Sequence, residues 1–236
     1  MYIRKSHIES YSFCPLQFKK QYIDKTEQKK SYALTLGSRF HEFADKFFVA
    51  VDILKYSPDR WTEFIPQEFG ILERRMASYF INYEINRFYS DELFFPYVTE
   101  LEFTNHILET TGTIDRIDAL LYGGFRLVEY KTSKKFDRKS EKRQLEFYAY
   151  NIKNILDIDI TELMVINPRL QQYVDYGYPD TSKVETAIQD MKAIINNPDA
   201  EIKPRCSWAM YPICGLCSST QEAGLFKGVP NPLTLR

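Results

Sequence analysis

Residues 112–133, GTIDRIDALLYGGFRLVEYKTS, constrain this chain more than any other stretch. Two apolar-rich runs flank Gly123-Gly124, which reads as a β-hairpin. Side chains alternate along a strand, so Glu129 and Lys131 share one face. The loop length decides which acid joins them. A two-residue loop at Gly123-Gly124 pairs Tyr122 with Phe125 and puts Asp118 on the Glu129 face. A three-residue loop, Tyr122 to Gly124, pairs Leu121 with Phe125 and sets Asp115 opposite Lys131, on the Glu129 face. Asp115 therefore requires an odd loop or a bulge, and Asp118 is the fallback. Two carboxylates and an ammonium are the parts that metal-assisted phosphodiester hydrolysis needs: oxygen ligands for a hard cation, and a charge that orients the attacking water. Charged strand residues also face solvent for no further reason, so the triplet alone is weak.

The rest of the chain reads as α/β. Pro15 suits the first turn of a helix with Phe18 and Tyr22 on one face, and Ser6 suits the cap of a shorter helix before it. Phe40, Phe43, Ala44, Phe47 and Phe48 recur at helical spacing within 36–51, and Leu72, Met76, Phe80 and Tyr83 do so within 67–89. Strands are expected at 97–103, 112–121, 125–131, 163–166 and 172–178, and helices at 139–155 and 181–195. No internal repeat or low-complexity linker divides the 236 residues. The expectation is one domain over 1–236: a helical region (1–95), a core (96–178), and a helix with a Cys-bearing tail (179–236). At 44% hydrophobic the chain can bury a full core. Its net charge of −1 argues against a histone-like coat of positive charge but leaves room for one basic patch. No apolar run approaches the ~20 residues of a membrane span, and the start has no signal-peptide core. The expected location is cytoplasmic, without a membrane.

Other residues gain meaning only beside the hairpin. Gln144 and Tyr148 lie four apart, on one face of the helix that follows it. His41 sits among phenylalanines, where a lone histidine is more often a satisfied core residue than a ligand. The run after Lys131 carries Lys134, Lys135 and Lys139, which read either as a solvated face or as contacts to a phosphate backbone.

Taken in order, these pieces resemble the RecB-like branch of the PD-(D/E)xK nuclease superfamily. The matching residues are Tyr11 to Pro15, Leu36 to His41, Gly112 to Asp118, Val128 to Thr132 and Gln144 to Tyr148. Within that branch the likeness is greatest to CRISPR-associated RecB-like exonucleases and AddB-type nuclease domains. The resemblance implies a restriction-endonuclease-like central mixed sheet flanked by helices. It implies that His41, Asp115, Glu129 and the Tyr130 backbone carbonyl ligate Mg2+ or Mn2+. Lys131 would act on the attacking water, and Gln144 and Tyr148 would position active-site groups or the strand. A further acid one strand earlier is usual there; Glu102 and Glu100 both fit, with Glu102 preferred. The implied activity is a metal-dependent deoxyribonuclease on single-stranded DNA or DNA ends, with exonuclease action favoured. The alternative is a non-catalytic DNA-binding or assembly subunit that keeps the fold.

The four cysteines fall outside the expected core, Cys14 before it and Cys206, Cys214 and Cys217 after it. Thiols inside a cell are usually reduced, so disulfides are not the first reading. Inert buried thiols are the plainest account. Four thiolates converging on one centre would fasten the two chain ends together. The resemblance implies a 4Fe-4S cluster. The close pair stands last here rather than first, which leaves structural zinc open.

Overall fold

The computed structural model describes residues 1–24, 32–90 and 93–202. At its centre is one five-stranded sheet in chain order: β1 (Val98–Asn105), β2 (Thr110–Ala119), β3 (Phe125–Tyr130), β4 (Ile160–Asn167) and β5 (Gln172–Gly177). Three pairings are antiparallel, and β3 and β4 are parallel. A parallel pair needs a crossover, and α5 (Arg138–Leu156) supplies it. Asp137 caps that helix by accepting a hydrogen bond from the Ser140 N–H at 3.2 Å. Asp157, left-handed at φ 54°, ends it. The α/β mixed sheet flanked by helices matches the expected fold class.

Period-two alternation sends β3 and β4 into two cores. Leu127, Leu163 and Val165 pack with Leu145 and Ile152 of α5, Ile8 and Tyr11 of α1 (Lys5–Phe13), and Ile188 and Met191 of α6 (Val184–Asn196). On the other face, Val128, Tyr130, Met164 and Ile166 meet the phenylalanines of α3 (Tyr32–Leu54) and Phe80 of α4 (Ile71–Tyr89). The rings there meet edge to face, Phe47 with Phe80 at 5.3 Å and Phe40 with Tyr130 at 5.8 Å. Such pairs add about 0.5–1.5 kcal/mol each beyond the area they bury.

Several boundaries differ from the sequence expectation. Helix α1 begins at Lys5, so Ser6 lies inside it and does not cap it. Pro15 does open α2 (Pro15–Phe18), which runs into one wider turn, Lys19–Ile23. The helix expected from 67 starts only at Ile71, where the Gly70 N–H donates to Glu73 Oε2 at 2.7 Å. A tight 3-10 segment, Pro58–Phe64, precedes it.

The hairpin loop is neither two nor three residues long. Ala119 pairs with Phe125, which leaves Leu120 to Gly124 as a five-residue loop. Gly124 has φ +78°, and a Cβ there would lie 2.6 Å from the Thr161 side chain. Five is odd, so Asp115 keeps the parity of Glu129. It falls level with Glu129 rather than with Lys131.

Asp118 therefore points elsewhere, into a buried ion quartet. Arg116 donates Nε and Nη2 to the two oxygens of Asp118, both at 2.7 Å, and Nη1 to Glu84 Oε1 at 2.7 Å. Arg87 Nη1 donates to the other Glu84 oxygen at 2.6 Å. Two guanidiniums and two carboxylates cancel, and all four side chains are almost wholly enclosed. Removing one member strands charge in the interior. We expect Arg116→Met to cost about 3–5 kcal/mol in urea unfolding. A loss below about 1 kcal/mol would mean that the quartet is not coupled.

A second prediction concerns His7. Its ring lies 4.2 Å from that of Tyr22, and its Nδ1 accepts the Arg4 N–H at 3.3 Å. That bond needs a neutral imidazole. Burial first, and the Arg4 charge second, push the pKa of His7 down to about 4. The unfolded chain, with a histidine near its ordinary 6.5, binds the proton earlier. The stability from neutral His7 is complete above the unfolded value and is lost as pH falls from there through about 4. His7→Gln should flatten the fall of unfolding midpoint across that window. Equal slopes for variant and parent would contradict it.

Candidate metal-binding active site

A shared irregularity in β1 and β2 builds the first half of the site. The two strands pair at Thr99 with Arg116 and at Leu101 with Ile114. Between them, Glu100 faces Asp115, and Glu100 has φ +46°, a left-handed conformation that few non-glycine residues adopt. Ile114 and Ile117 both enter the α5-side core although they are an odd three positions apart. The alternation of β2 thus breaks at Asp115. Its carboxylate is nearly fully buried, and Oδ2 accepts the Tyr130 N–H at 2.7 Å. Oδ1 lies 3.2 Å from His41 Nδ1, and that nitrogen lies 3.8 Å from Glu100 Oε1. One ligand atom from each of His41, Glu100 and Asp115 falls within 4.8 Å of the others. Thr99 Oγ1 donates to Asp45 Oδ1 at 2.6 Å, which ties α3 to β1 one turn after His41.

The second half centres on Glu129, whose side chain is 2% exposed. Its Oε1 takes Lys131 Nζ at 3.0 Å and Lys5 Nζ at 2.7 Å. Lys131 also donates to Gln144 Oε1 at 2.7 Å. Lys5 lies over the Tyr148 ring, 5.5 Å from its centre. Glycine at 112 lets that ring close on β2, since a Cβ there would meet it at 3.0 Å and Phe103 at 3.1 Å. Among the described residues, two buried polar atoms, Glu129 Oε2 and the Tyr148 hydroxyl, meet no hydrogen-bond partner.

Electrostatics follow from this crowding. Burial opposes ionisation of Glu129, but Lys131 and Lys5 outweigh it and hold its pKa at about 2. Burial, then the Glu129 charge, push Asp115 up. Burial disfavours the charged His41 ring, yet Asp115, Glu100 and Glu129 together raise it to about 10. Lys5 is likewise raised by its carboxylate neighbours against the effect of burial. Acid this concentrated, with an unpartnered carboxylate oxygen inside it, fits a divalent cation.

Two adjoining clefts share Lys5, His41 and Glu100. One, of about 740 Å³, includes Glu129, Tyr130 and Lys131 in its wall, and the other, of about 830 Å³, includes Asp115 and Tyr148. His41, Asp115, Glu129, Lys131, Gln144 and Tyr148 are thus brought to one place. Tyr130 contributes its main-chain N–H to Asp115, while its hydroxyl accepts from Arg116 Nη1 at 3.2 Å on the far face. Of the two candidate additional acids, Glu100 lies in the three-residue cluster, while Glu102 lines the same cleft without joining it. The pairing register sets Glu102 opposite Thr113, exposed and outside the three-residue cluster. Lys134, Lys135 and Lys139 are exposed on and after the loop that follows β3. Cys14 is buried at the junction of α1 and α2, with no disulfide partner among the described residues. Cys206, Cys214 and Cys217 lie outside the described residues.

Sequence reasoning missed Lys5. Its only local signal is a cation at the start of a helix whose first turn has no acid. A positive charge is unfavourable there unless an anion lies nearby. The anion is 124 positions away in the chain, so no local pattern announces it.

No curated protein matches the chain. Among solved structures, it is similar to a Eubacterium rectale protein described as a candidate exonuclease, with 14% identity, 98% of this chain and 91% of that one covered, and a TM-score of 0.50. At that identity the likeness speaks for the fold alone. A second, SSO0001, aligns at 14% identity over 85% of this chain and 94% of its own, with a TM-score of only 0.33. The family model of the PD-(D/E)XK nuclease superfamily matches residues 5–221, from Lys5 of the site to beyond the last cysteine, and the chain belongs to that superfamily.

Proposed function

We propose that the chain is a Mg2+- or Mn2+-dependent deoxyribonuclease of the RecB-like branch, acting on single-stranded DNA or DNA ends. The observation that carries this reading is Glu129: a buried carboxylate with one oxygen held by Lys131 and Lys5 and the other unpartnered. Asp115, Glu100 and His41 stand beside it as further ligands. When bound, a divalent cation would supply a polarised phosphoryl group and a water acidic enough to deprotonate.

The chain's own groups do the rest. Asp115 is locked by the Tyr130 N–H, so its other oxygen stays aimed at His41 and Glu100. Lys131 has three donors. Two are engaged by Glu129 and Gln144, which leaves the third for the attacking water or a phosphoryl oxygen. Gln144 thus fixes the lysine without meeting substrate. Water attack on phosphorus breaks a P–O bond, and the departing oxygen needs a proton from solvent or a nearby acid. Exonuclease action accords with how the Eubacterium rectale protein is described.

Cys14, Cys206, Cys214 and Cys217 would hold a 4Fe-4S cluster, with zinc as the alternative. The buried Cys14 supports this, as does a family match that spans all four cysteines. In this reading 1–236 is a single nuclease domain. Among the described residues no helix is long and apolar enough to cross a membrane.

The deciding experiment is digestion of end-labelled linear and circular single-stranded DNA with Mn2+ and with EDTA. Lys131→Ala should still bind Mn2+ but lose about 100-fold or more in rate. Glu129→Ala should lose both metal binding and cleavage. A parental protein that binds DNA yet never cleaves it would favour the non-catalytic subunit, and both variants cleaving at the parental rate would move the site elsewhere. Exchanging Lys134, Lys135 and Lys139 together for Gln should weaken DNA binding and reduce its salt slope by about 2. An unchanged slope would make that run a solvated face.

A further inference from the structure

Lys5 is a cation at this site that no sequence motif accounts for. The first residues of the chain are pinned beside β2: the Ile3 N–H donates to the Glu109 carbonyl at 2.8 Å, and the Thr111 N–H donates to the Ile3 carbonyl at 2.9 Å. That anchor carries Arg4 and Lys5 to the rim of the cleft at the start of α1. Lys5 then reaches Glu129 Oε1, an oxygen that Lys131 already serves. The Lys5 side chain is 34% exposed and that of Glu129 only 2%. Lys5 also lines both clefts, so its side chain has room to swing from Glu129 into the adjoining one, which Glu129 does not line.

Charge decides whether it stays. Glu100, Asp115 and Glu129 against Lys5 and Lys131 leave one net negative charge before the His41 ring is counted. A divalent cation makes the cluster net positive. The second ammonium on Glu129 Oε1 is then surplus and repels a cation held by the other oxygen, Oε2. The adjoining cleft offers another place. Arg4, Ser6, Thr104, Thr111 and Thr113 line it away from Glu100 and Asp115, Glu102 is the one further acid among its lining residues, and the buried Tyr148 hydroxyl stands beside Lys5 in its wall. Cations, hydroxyls and the positive end of a nine-residue helix suit a phosphate diester.

We propose that Lys5 is a two-position residue: it rests on Glu129 in the metal-free protein and transfers to a backbone phosphate of the bound strand when a divalent cation takes Glu129. This rests on the nuclease reading above and names how that site engages its polyanionic substrate. It makes metal and DNA binding mutually reinforcing, because each removes the ammonium from what the other needs or offers it a new partner.

The test uses the full chain with Lys5→Gln, Lys5→Met and Lys5→Arg, folding checked by circular dichroism. Mn2+ alone is titrated calorimetrically, and a phosphorothioate single-stranded oligonucleotide is titrated in Mn2+ and in EDTA. With the repelling ammonium gone, Lys5→Gln and Lys5→Met should bind Mn2+ about threefold or more tightly than the parent. In Mn2+ they should bind the oligonucleotide less tightly, with a salt slope smaller by about 0.7. In EDTA they should bind it as the parent does. Lys5→Arg should keep the parental salt slope. Weaker Mn2+ binding in the neutral variants, or a salt slope in Mn2+ equal to the parent's, would overturn the proposal and make Lys5 a fixed counter-ion. So would failure of both neutral variants to fold. A parent that binds no Mn2+ and cleaves no DNA is a different result: it removes the nuclease reading and this proposal with it.

Discussion

The site depends on keeping Glu129 ionised inside the protein. A carboxylate this buried would ordinarily take up a proton. Two ammoniums on one of its oxygens reverse that balance. Each belongs to a different layer of the chain. Lys131 follows β3 and is steadied by Gln144 from α5, while Lys5 comes from the first helix. Holding one charge in the interior thus fastens the start of the chain, the middle of the sheet and the crossover helix together. Such a contact is a poor source of net stability, since desolvation consumes most of the attraction. Its consequence is arrangement: a charged oxygen that protein leaves without a partner.

The sheet separates two kinds of buried charge by parity. Arg116 and Asp118 point towards α4 and close a balanced quartet with Glu84 and Arg87, in which each carboxylate oxygen has a donor. Asp115 and Glu129 lie on the other parity, and there satisfaction is incomplete. One sequence, GTIDRID, supplies both acids. Asp118 is held in the quartet, and Asp115 faces the His41 imidazole. A hairpin loop of even length would exchange the two.

Much of this was legible. Apolar spacing at Phe40, Phe43, Phe47 and Phe48 gave the helix that faces the sheet, because a buried stripe leaves a 3.6-residue period. The alternation at Glu129 and Lys131 gave their common face, and Gln144 and Tyr148 followed from helical spacing. The resemblance then supplied what spacing does not, namely that His41 belongs with them. The loop length resisted reading because Gly123-Gly124 fits several turns, and five residues close here only with Gly124 against Thr161. Lys5 and the quartet resisted for a different reason. Both are pairings over long sequence separations, Arg116 with Glu84 and Lys5 with Glu129, and local pattern carries no information about them.

The choice between Glu100 and Glu102 marks the finest limit. Both lie on the same strand with the same parity, so alternation cannot separate them. Pairing register does, by setting Glu100 opposite Asp115. The backbone at Glu100 is left-handed, a conformation that costs on the order of 1–3 kcal/mol for a residue with a side chain. A glycine there would relieve the cost and lose the carboxylate. Placing an acid at a position that favours glycine makes sense only if the surrounding pairs hold the strand in that shape. They do: Thr99 with Arg116 and Leu101 with Ile114 clamp the irregularity from both sides. Strain at Glu100 and the break of alternation at Asp115 are therefore one feature. It lets two acids from neighbouring strands approach one imidazole, which a regular ladder would keep on its own face.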